Sequence, residues 1–448
     1  MKALLLRLWQ SSTQRVMSLT FAGKLAGLLA DVLLAARLGT GKTADALFVA
    51  LGFPLFVDTV TRESAKFSLV PIFVQYRTEH PGRYHRFVSG LLNASLSGGV
   101  VLVFIAGIGA PWIVQGLGPG MSAEGIAQAT HLLWMCAPLL LFAPAITIQG
   151  VLLNSEKRFS RVALRSAVTP GIVALTLLAT WNQPGAATWA AGGYSAGFSV
   201  YFTVLAAGIR RNAELQYKWN AWPTSKDIGE IRAALSWPSM GFVVRQVARL
   251  LERAIASLVM VGGVSSYYFA SRIYSGIQSV IGTSIATTGL PDLSLQSTKG
   301  GRKEARRQVR KQTFQVILLA VPATMVLLLF SETIIGLVYG RGEFGAEAVR
   351  RTTSLLSWFG PGILFSCLIP TLSTVLYSLR KYRYVFWNMV AMAGLNLALA
   401  WGLARTVGFG LQGIAASVSL TALCGAVGLA FLIRKAGFPL SAPLSKEW

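Results

Sequence analysis

The sequence predicts an all-α polytopic membrane protein of about twelve transmembrane helices, and three observations carry that reading. Hydrophobic residues fill 53% of the 448 positions and charged residues only 13%, where a soluble domain carries about 25% charged. Mean hydropathy is +0.56. The apolar residues come in continuous runs of about 20, the length that crosses a bilayer as a helix, and not in strand-like alternation. Backbone groups in hydrocarbon must bond internally, which leaves helices or closed barrels, and continuous runs select helices.

The runs lie at 17–38, 44–75, 86–114, 128–153, 160–181, 185–209, 228–260, 264–292, 313–338, 352–378, 383–406 and 410–433. The second, seventh and eighth contain charges and are the weakest by hydropathy. The formal net charge of +24 tests the layout. With the N-terminus in the cytoplasm, 28 of the 41 cations fall in cytoplasmic segments. These include Lys157, Arg158, Arg161 and Arg165, and the basic stretch from Lys299 to Lys311. Only 6 fall on the opposite face, Arg37 and Arg405 among them. The positive-inside rule requires this asymmetry, and an even helix count places both termini in the cytoplasm. The cations read as topology markers that also meet anionic lipid, and nucleic acid is not an expected partner. Lys2 and Arg7 mark an in-plane start retained before the first helix, with no signal-peptide cleavage pattern.

Cys136, Cys367 and Cys424 sit in apolar runs and read as small buried hydrophobes, with no disulfide framework or metal set. His80, His85 and His131 show no ligand spacing, and no nucleophile arrangement is present, so no catalytic residue, metal or cofactor is expected. Residues 36–43, ARLGTGKT, imitate a phosphate-binding loop, but a spanning run precedes them where the mechanism needs a strand. Without a built-in ATPase, transport would draw on the membrane potential, Na+ or H+.

The two halves look related. The second run, TADALFVALGFP…SLVP, parallels the eighth, SSYYFASRIY…TGLP, and Ala50 to Pro71 spans the same 21 positions as Ala270 to Pro291. Six helices separate the copies, which makes the repeat parallel, a pseudo-twofold pair of six-helix lobes. The expected division is a lobe over 1–212, a cytoplasmic linker over 213–227 and a second lobe over 228–448. Such repeats place a site at the bilayer midplane.

Seven cations fall deep inside the runs, away from their ends: Lys24, Arg62, Lys66, Arg245, Arg249, Arg253 and Arg272. Each would cost about 2.5–3.5 kcal/mol facing lipid, so they face a wet cavity or pair with acids. The acids available are Asp31, Asp58, Glu63 and Glu252, which leaves a cationic surplus suited to an anion. Arg245, Arg249 and Arg253 at i, i+4 and i+8 share one helical face, either as a guanidinium ladder along a cleft or as arginines reaching up to headgroups. Their planar forks suit phosphate and carboxylate. Asp58 with Arg62, and Glu63 with Lys66, stand at pairing distance along one helix and serve either structural pairing or substrate contact. Lys24 and Asp31 share a face of the first helix. Arg272 falls near the middle of the eighth.

The stretch Lys24-x-x-Gly27-x-x-x-Asp31, Gly39, TADALFVALGFP, Glu63 and FSLVPIFVQY resembles the start of the MviN/MurJ family of lipid II flippases, in the wider multidrug/oligosaccharidyl-lipid/polysaccharide exporter superfamily. The stretch YYFASRIYSGIQSVIGTSIATTGLPDLS resembles that family's eighth helix and its exit, and ETIIGLVYGRGEF from Glu332 its ninth-to-tenth helix region. The resemblance is collinear over nearly the whole chain. It implies the bacterial inner membrane, a cationic central cavity, alternating access and a substrate built on undecaprenyl diphosphate. Lys24 stands where the family has an arginine, Asp31 and Arg272 match it, and Ala30 and Asp58 stand at or near usual arginines. The family has fourteen helices, against twelve here. Those departures make an exopolysaccharide or other oligosaccharide carrier the first expectation and lipid II of peptidoglycan synthesis the second. A cation-coupled drug antiporter is a third reading, which the basic surplus disfavours. A monomer is the working expectation. Substrate contact is assigned to Lys24, Arg245, Arg249, Arg253 and Arg272, and coupling or pairing to Asp31, Asp58, Arg62, Glu63 and Glu252.

Overall fold

The computed structural model describes residues 12–210, 215–286, 302–379 and 381–438. The in-plane start at Lys2 and Arg7, the exit segment TGLPDLS and Lys299 lie outside these residues, as does the side chain of Lys66. The described residues form fifteen α-helices and no strand. They are α1 (Ser12–Leu38), α2 (Lys42–Ala50), α3 (Gly52–Glu79), α4 (Pro81–Leu117), α5 (Ala123–Met135), α6 (Ala137–Ser155), α7 (Phe159–Ala163), α8 (Arg165–Ala179), α9 (Ala186–Arg210), α10 (Ser225–Val259), α11 (Gly263–Gln278), α12 (Arg302–Tyr339), α13 (Ala346–Ser378), α14 (Tyr382–Trp401) and α15 (Leu411–Lys435). Short π-helical turns extend α11 over Ser279–Thr283 and α14 over Gly402–Thr406.

All twelve apolar runs are found, several as broken pairs. The second run divides at Leu51 into α2 and α3, the fourth at Cys136 into α5 and α6, and the fifth at Leu164 into α7 and α8. At Cys136 the cause is local, because Pro138 sits in the first turn of α6, where its missing N–H does no harm. The basic stretch before the ninth run is described from Arg302 onward. There it is continuous with the spanning helix α12. ARLGTGKT is a helix–turn–helix corner in which Gly39 takes φ +58, so it cradles no phosphate in the strand–loop–helix manner.

Nine helices or helix pairs among the described residues are long and apolar enough to cross a membrane. The other three runs correspond to α9, α10 and α11. The charged α10 and the short α11 confirm the weakness expected of the seventh and eighth runs. The sixth run, α9, falls short for a different reason: it is rich in the weakly apolar Ala, Gly, Ser and Tyr, several of which pack against protein, with Ala187, Ala190, Ala191 and Tyr201 buried.

Cα packing divides the chain into two compact units, Met1–Gln246 and Val247–Trp448, and α10 runs from one into the other. In the first unit α6 is the central helix, packed by α3, α4 and α9, while α8 packs on α1 and α9. In the second unit α13 is central, packed by α11, α12 and α15, while α14 packs on α15. The surroundings of α13 parallel those of α6, as the parallel repeat requires. Both central helices gain close neighbours from glycine: a Cβ on Gly99 of α4 would fall 2.2 Å from the Leu141 carbonyl oxygen, and one on Gly362 of α13 would fall 2.7 Å from Ser419 Oγ. Small residues of this kind let helices approach where lipid supplies no hydrophobic drive.

Each unit also ties the ends of two helices with an arginine. In the first, Arg37 at the end of α1 donates to the carbonyls of Leu177, Thr180 and Gln183 at 3.2, 2.7 and 2.7 Å, and lies 5.5 Å from the Trp181 ring. The guanidinium thus satisfies the Leu177 carbonyl in the last turn of α8, which has no intrahelical donor, and two carbonyls of the turn that follows. In the second, Arg405 after α14 donates to the Leu258 carbonyl of α10 at 3.3 Å and lies 5.4 Å from Trp401.

The segment before α10 is strapped along α4. His85, Ser89 and Asn93, at i, i+4 and i+8, bind its backbone: Gln216 N–H donates to His85 Nδ1 at 3.3 Å, Lys218 N–H to Ser89 Oγ at 3.0 Å, and Asn93 Nδ2 to the carbonyls of Trp219 and Ala221 at 2.8 and 2.9 Å. Gly90 lies beneath, where a Cβ would meet the Trp222–Pro223 backbone at 2.8 Å. Thr224 then caps α10. Its N–H and hydroxyl donate to Asp227 Oδ2 at 2.8 and 2.7 Å, and Asp227 N–H returns to Thr224 Oγ1 at 3.3 Å, a reciprocal capping arrangement. Tyr76 OH from the end of α3 donates to Asp227 Oδ1 at 2.8 Å.

Burial pushes the Asp227 carboxyl up, but the Thr224 backbone and hydroxyl donors, the Tyr76 hydroxyl and Arg83 outweigh it and hold the group below its ordinary value. A carboxyl with a depressed folded pKa stabilises above its unfolded pKa, and that contribution disappears as pH falls through the folded value. The melting temperature of the purified protein is therefore expected to fall further between about pH 6 and about pH 3 in the wild type than in Asp227→Asn, which lacks the titrating group. Equal falls would remove Asp227 as the cause.

Candidate functional site

The charged residues of the first unit converge on Asp58, in the middle of α3 and 4% exposed. The spacing offers Arg62, one turn along the same helix, as a partner of Asp58 or as a substrate contact. That pair is present, at the long end of ion-pair distance, and the closer partner of Asp58 is Arg165, the first residue of α8, which forms an ion pair and hydrogen bond through its Nη2. Arg62 turns instead to Glu63, its ion-pair partner, and leaves Nε 4.0 Å from Asp58 Oδ2. Aromatic rings wall the Arg165 guanidinium, with Phe198 and Tyr201 of α9 at 5.4 and 5.9 Å. Tyr201 OH donates to the Val162 carbonyl at 3.0 Å, which fixes that ring. Thr61 and Thr147 meet at 3.3 Å and join α3 to α6 beside the cluster.

Arg165 had been counted with the cytoplasmic cations. The break at Leu164 brings it inward, because α7 and α8 lean on α1 and the long side chain then reaches Asp58. The sequence carries a weak signal for it: Arg161 and Arg165 stand at i, i+4 at the head of an apolar run, within reach of a span interior that holds acids. Counting Arg165 inside the protein raises the cationic surplus by one.

On α1, Asp31 is 3% exposed and Lys24 exposed, so the two share a face at different depths. Ala30 is also buried at 3%, its methyl enclosed where the resemblance sets an arginine. On α10, Arg245 and Arg249 are exposed and Arg253 half-buried, with Arg245 lying 5.2 Å from the Phe242 ring. Arg272 is an exposed residue of α11.

Glu252, grouped with the counter-ions of the arginine ladder, lies among neutral donors. It is buried and accepts hydrogen bonds from Tyr267 OH of α11 and Asn396 Nδ2 of α14. Ser417 Oγ of α15 donates to Asn396 Oδ1 at 2.9 Å. One carboxylate thus gathers α10, α11, α14 and α15 of the second unit. Arg249 and Arg253 act on it through their field.

Comparison with known proteins places this arrangement. The sequence profile of the lipid II flippase MurJ family matches residues 34–445. The chain belongs to the MurJ family. Among its relatives are the probable lipid II flippase MurJ of Thermotoga maritima, 24% identical over 417 residues and covering 93% of this chain and 83% of the relative, and that of Vibrio cholerae, 26% identical over 443 residues and covering 94% and 81%. A solved lipid II flippase MurJ in an inward closed conformation superposes with a TM-score of 0.81 at 22% identity, covering 94% of this chain and 87% of that one. An inward-facing multidrug resistance MATE transporter gives 0.77 at 14% identity, covering 95% and 98%. The structural likenesses show the shared two-lobed fold. As a MurJ family member the chain is a multi-pass protein of the bacterial inner membrane and a lipid transporter, not an enzyme.

Removing one partner of a buried ion pair strands the other. Arg165→Met is expected to destabilise the protein by about 3–5 kcal/mol, seen as a lower melting temperature in detergent. The double change Asp58→Asn with Arg165→Met is expected to recover most of that loss. A double variant as unstable as the single one would show that the pair is not the source.

Proposed function

We propose that this protein is a lipid II flippase, carrying the undecaprenyl-diphosphate-linked precursor of peptidoglycan from the inner to the outer leaflet by alternating access. The family match over residues 34–445, with relatives named as lipid II flippases, carries the reading. It displaces the exopolysaccharide carrier, which rested on a helix count and on Ala30 and Asp58 standing at usual arginine positions. Arg165 weakens the second argument, because it returns a guanidinium to the place where α3 carries Asp58.

In this reading Lys24, Arg245, Arg249, Arg253 and Arg272 receive the diphosphate. Guanidinium forks bind each phosphate through paired N–H donors, and the polyprenyl tail stays in lipid. A potential of about 100 mV, negative inside, favours outward movement of a dianion by about 4–5 kcal/mol. The return of the empty carrier is then the step that calls for a cation, and Asp31 and Asp58, both buried carboxylates, are the candidates to receive Na+ or H+. Anionic phospholipids meet the basic cytoplasmic segments.

The test is purified full-length protein in proteoliposomes loaded with fluorescent lipid II, alongside a strain depleted of its own flippase. Arg272→Ala and Arg249→Ala, accumulating normally, are each expected to slow translocation at least tenfold and to fail to support growth. Wild-type rates in both variants would remove these residues from the site. Failure of the wild-type protein to move lipid II while moving another polyprenyl-diphosphate saccharide would overturn the substrate.

A further inference from the structure

The cluster on α3 and α8 holds two guanidiniums, Arg62 and Arg165, against two carboxylates, Asp58 and Glu63. Among the described side chains these charges balance. The side chains of Arg62 and Arg165 are 38% and 21% exposed, and those of Asp58 and Glu63 6% and 27%. The cations are therefore open to a ligand, while Asp58 lies behind them. Arg62 Nε is buried and makes no hydrogen bond, standing 4.0 Å from the nearest carboxylate oxygen.

A diphosphate diester carries two negative charges, and so do these two carboxylates together. Both present oxygen pairs to arginine forks. We infer that Asp58 and Glu63 are an internal surrogate for the substrate's diphosphate: they neutralise Arg62 and Arg165 in the empty carrier and yield them to the diphosphate when it binds. The inference rests on the lipid-diphosphate reading above and adds a site on α3 and α8 to it.

Two bare guanidiniums left in low dielectric after release would hold the product back, because departure would strand them. With Asp58 and Glu63 at hand, release is an exchange of one anion for another, and the empty carrier keeps a neutral cluster for its return. The rings of Phe198 and Tyr201 hold the Arg165 head in place, so the anions exchange around a stationary cation.

The experiment measures binding to the purified full chain with two probes, undecaprenyl diphosphate and inorganic pyrophosphate, and translocation in proteoliposomes. Asp58→Asn is expected to tighten both probes by about tenfold or more and to slow turnover, because release becomes harder. Glu63→Gln is expected to shift both in the same direction by less, and Arg165→Met to weaken both. Unchanged or weaker binding in Asp58→Asn overturns the inference, as does a gain confined to the lipid probe with pyrophosphate unmoved, which would place recognition on the tail. Should Asp58→Asn fail to accumulate folded, Glu63→Gln decides the matter by the same criteria. Wild-type protein that binds neither probe defeats the flippase reading together with the inference, whereas wild-type binding without a gain in the variants defeats the inference alone.

Discussion

A charge carried into a hydrocarbon slab persists only beside its opposite, in water or against a ligand, and the interior of this protein is arranged around that constraint. Asp58 meets it with an arginine brought from another helix. Glu252 meets it with a phenol and an amide, so that four helices of the second unit close around one carboxylate. In each case a polar side chain sets which helices touch, and apolar packing follows, as where Val309, Val375 and Leu429 fill the seam of α12, α13 and α15. Lipid offers no preference for one apolar surface over another, so polar groups and small residues carry the specificity of assembly.

The helices were legible because their signal is one-dimensional: about 20 apolar residues make a span whatever surrounds them. Charge asymmetry between loops and the internal repeat were legible for the same reason. Leu164 was not, because no proline or glycine stands near it, and at Leu51 the Gly52 and Pro54 that follow were read as part of one continuous run. Those breaks then hid Arg165, since a residue assigned to a loop is not looked for as a partner of Asp58. The neutral donors around Glu252 were equally hidden. Tyr267, Asn396 and Ser417 are ordinary residues in their own helices, and only the fold brings them to one carboxylate. The arginine ladder was legible as spacing, but spacing alone carried no information on how exposure would rise from Arg253 to Arg249 and Arg245.

Transport of a dianion sets two opposed requirements, attraction strong enough to draw a phosphate headgroup out of water and weak enough to let it go. A surplus of exposed cations on α1, α10 and α11 serves the first. The neutral cluster on α3 and α8 has the composition to serve the second. The first unit also holds the start of α10 rigidly, through the strap on α4 and the Thr224–Asp227 cap, so the arginine-bearing helix leaves that unit from a firm base.

The arginine ties at the helix ends differ between the units in one respect. In the first unit the donor belongs to α1 and the acceptors to α8. In the second, the corresponding partners are α10 and α14, and the donor has passed to the α14 side. The duplicated halves have traded lock and key, so they are no longer exchangeable parts. A hybrid carrying α1 with the α14 end would set two guanidiniums against each other, and the reciprocal hybrid would have none. Ancestry by duplication is thus preserved in the backbone while the outer rim has diverged past recombination, leaving each half committed to its own position in the chain.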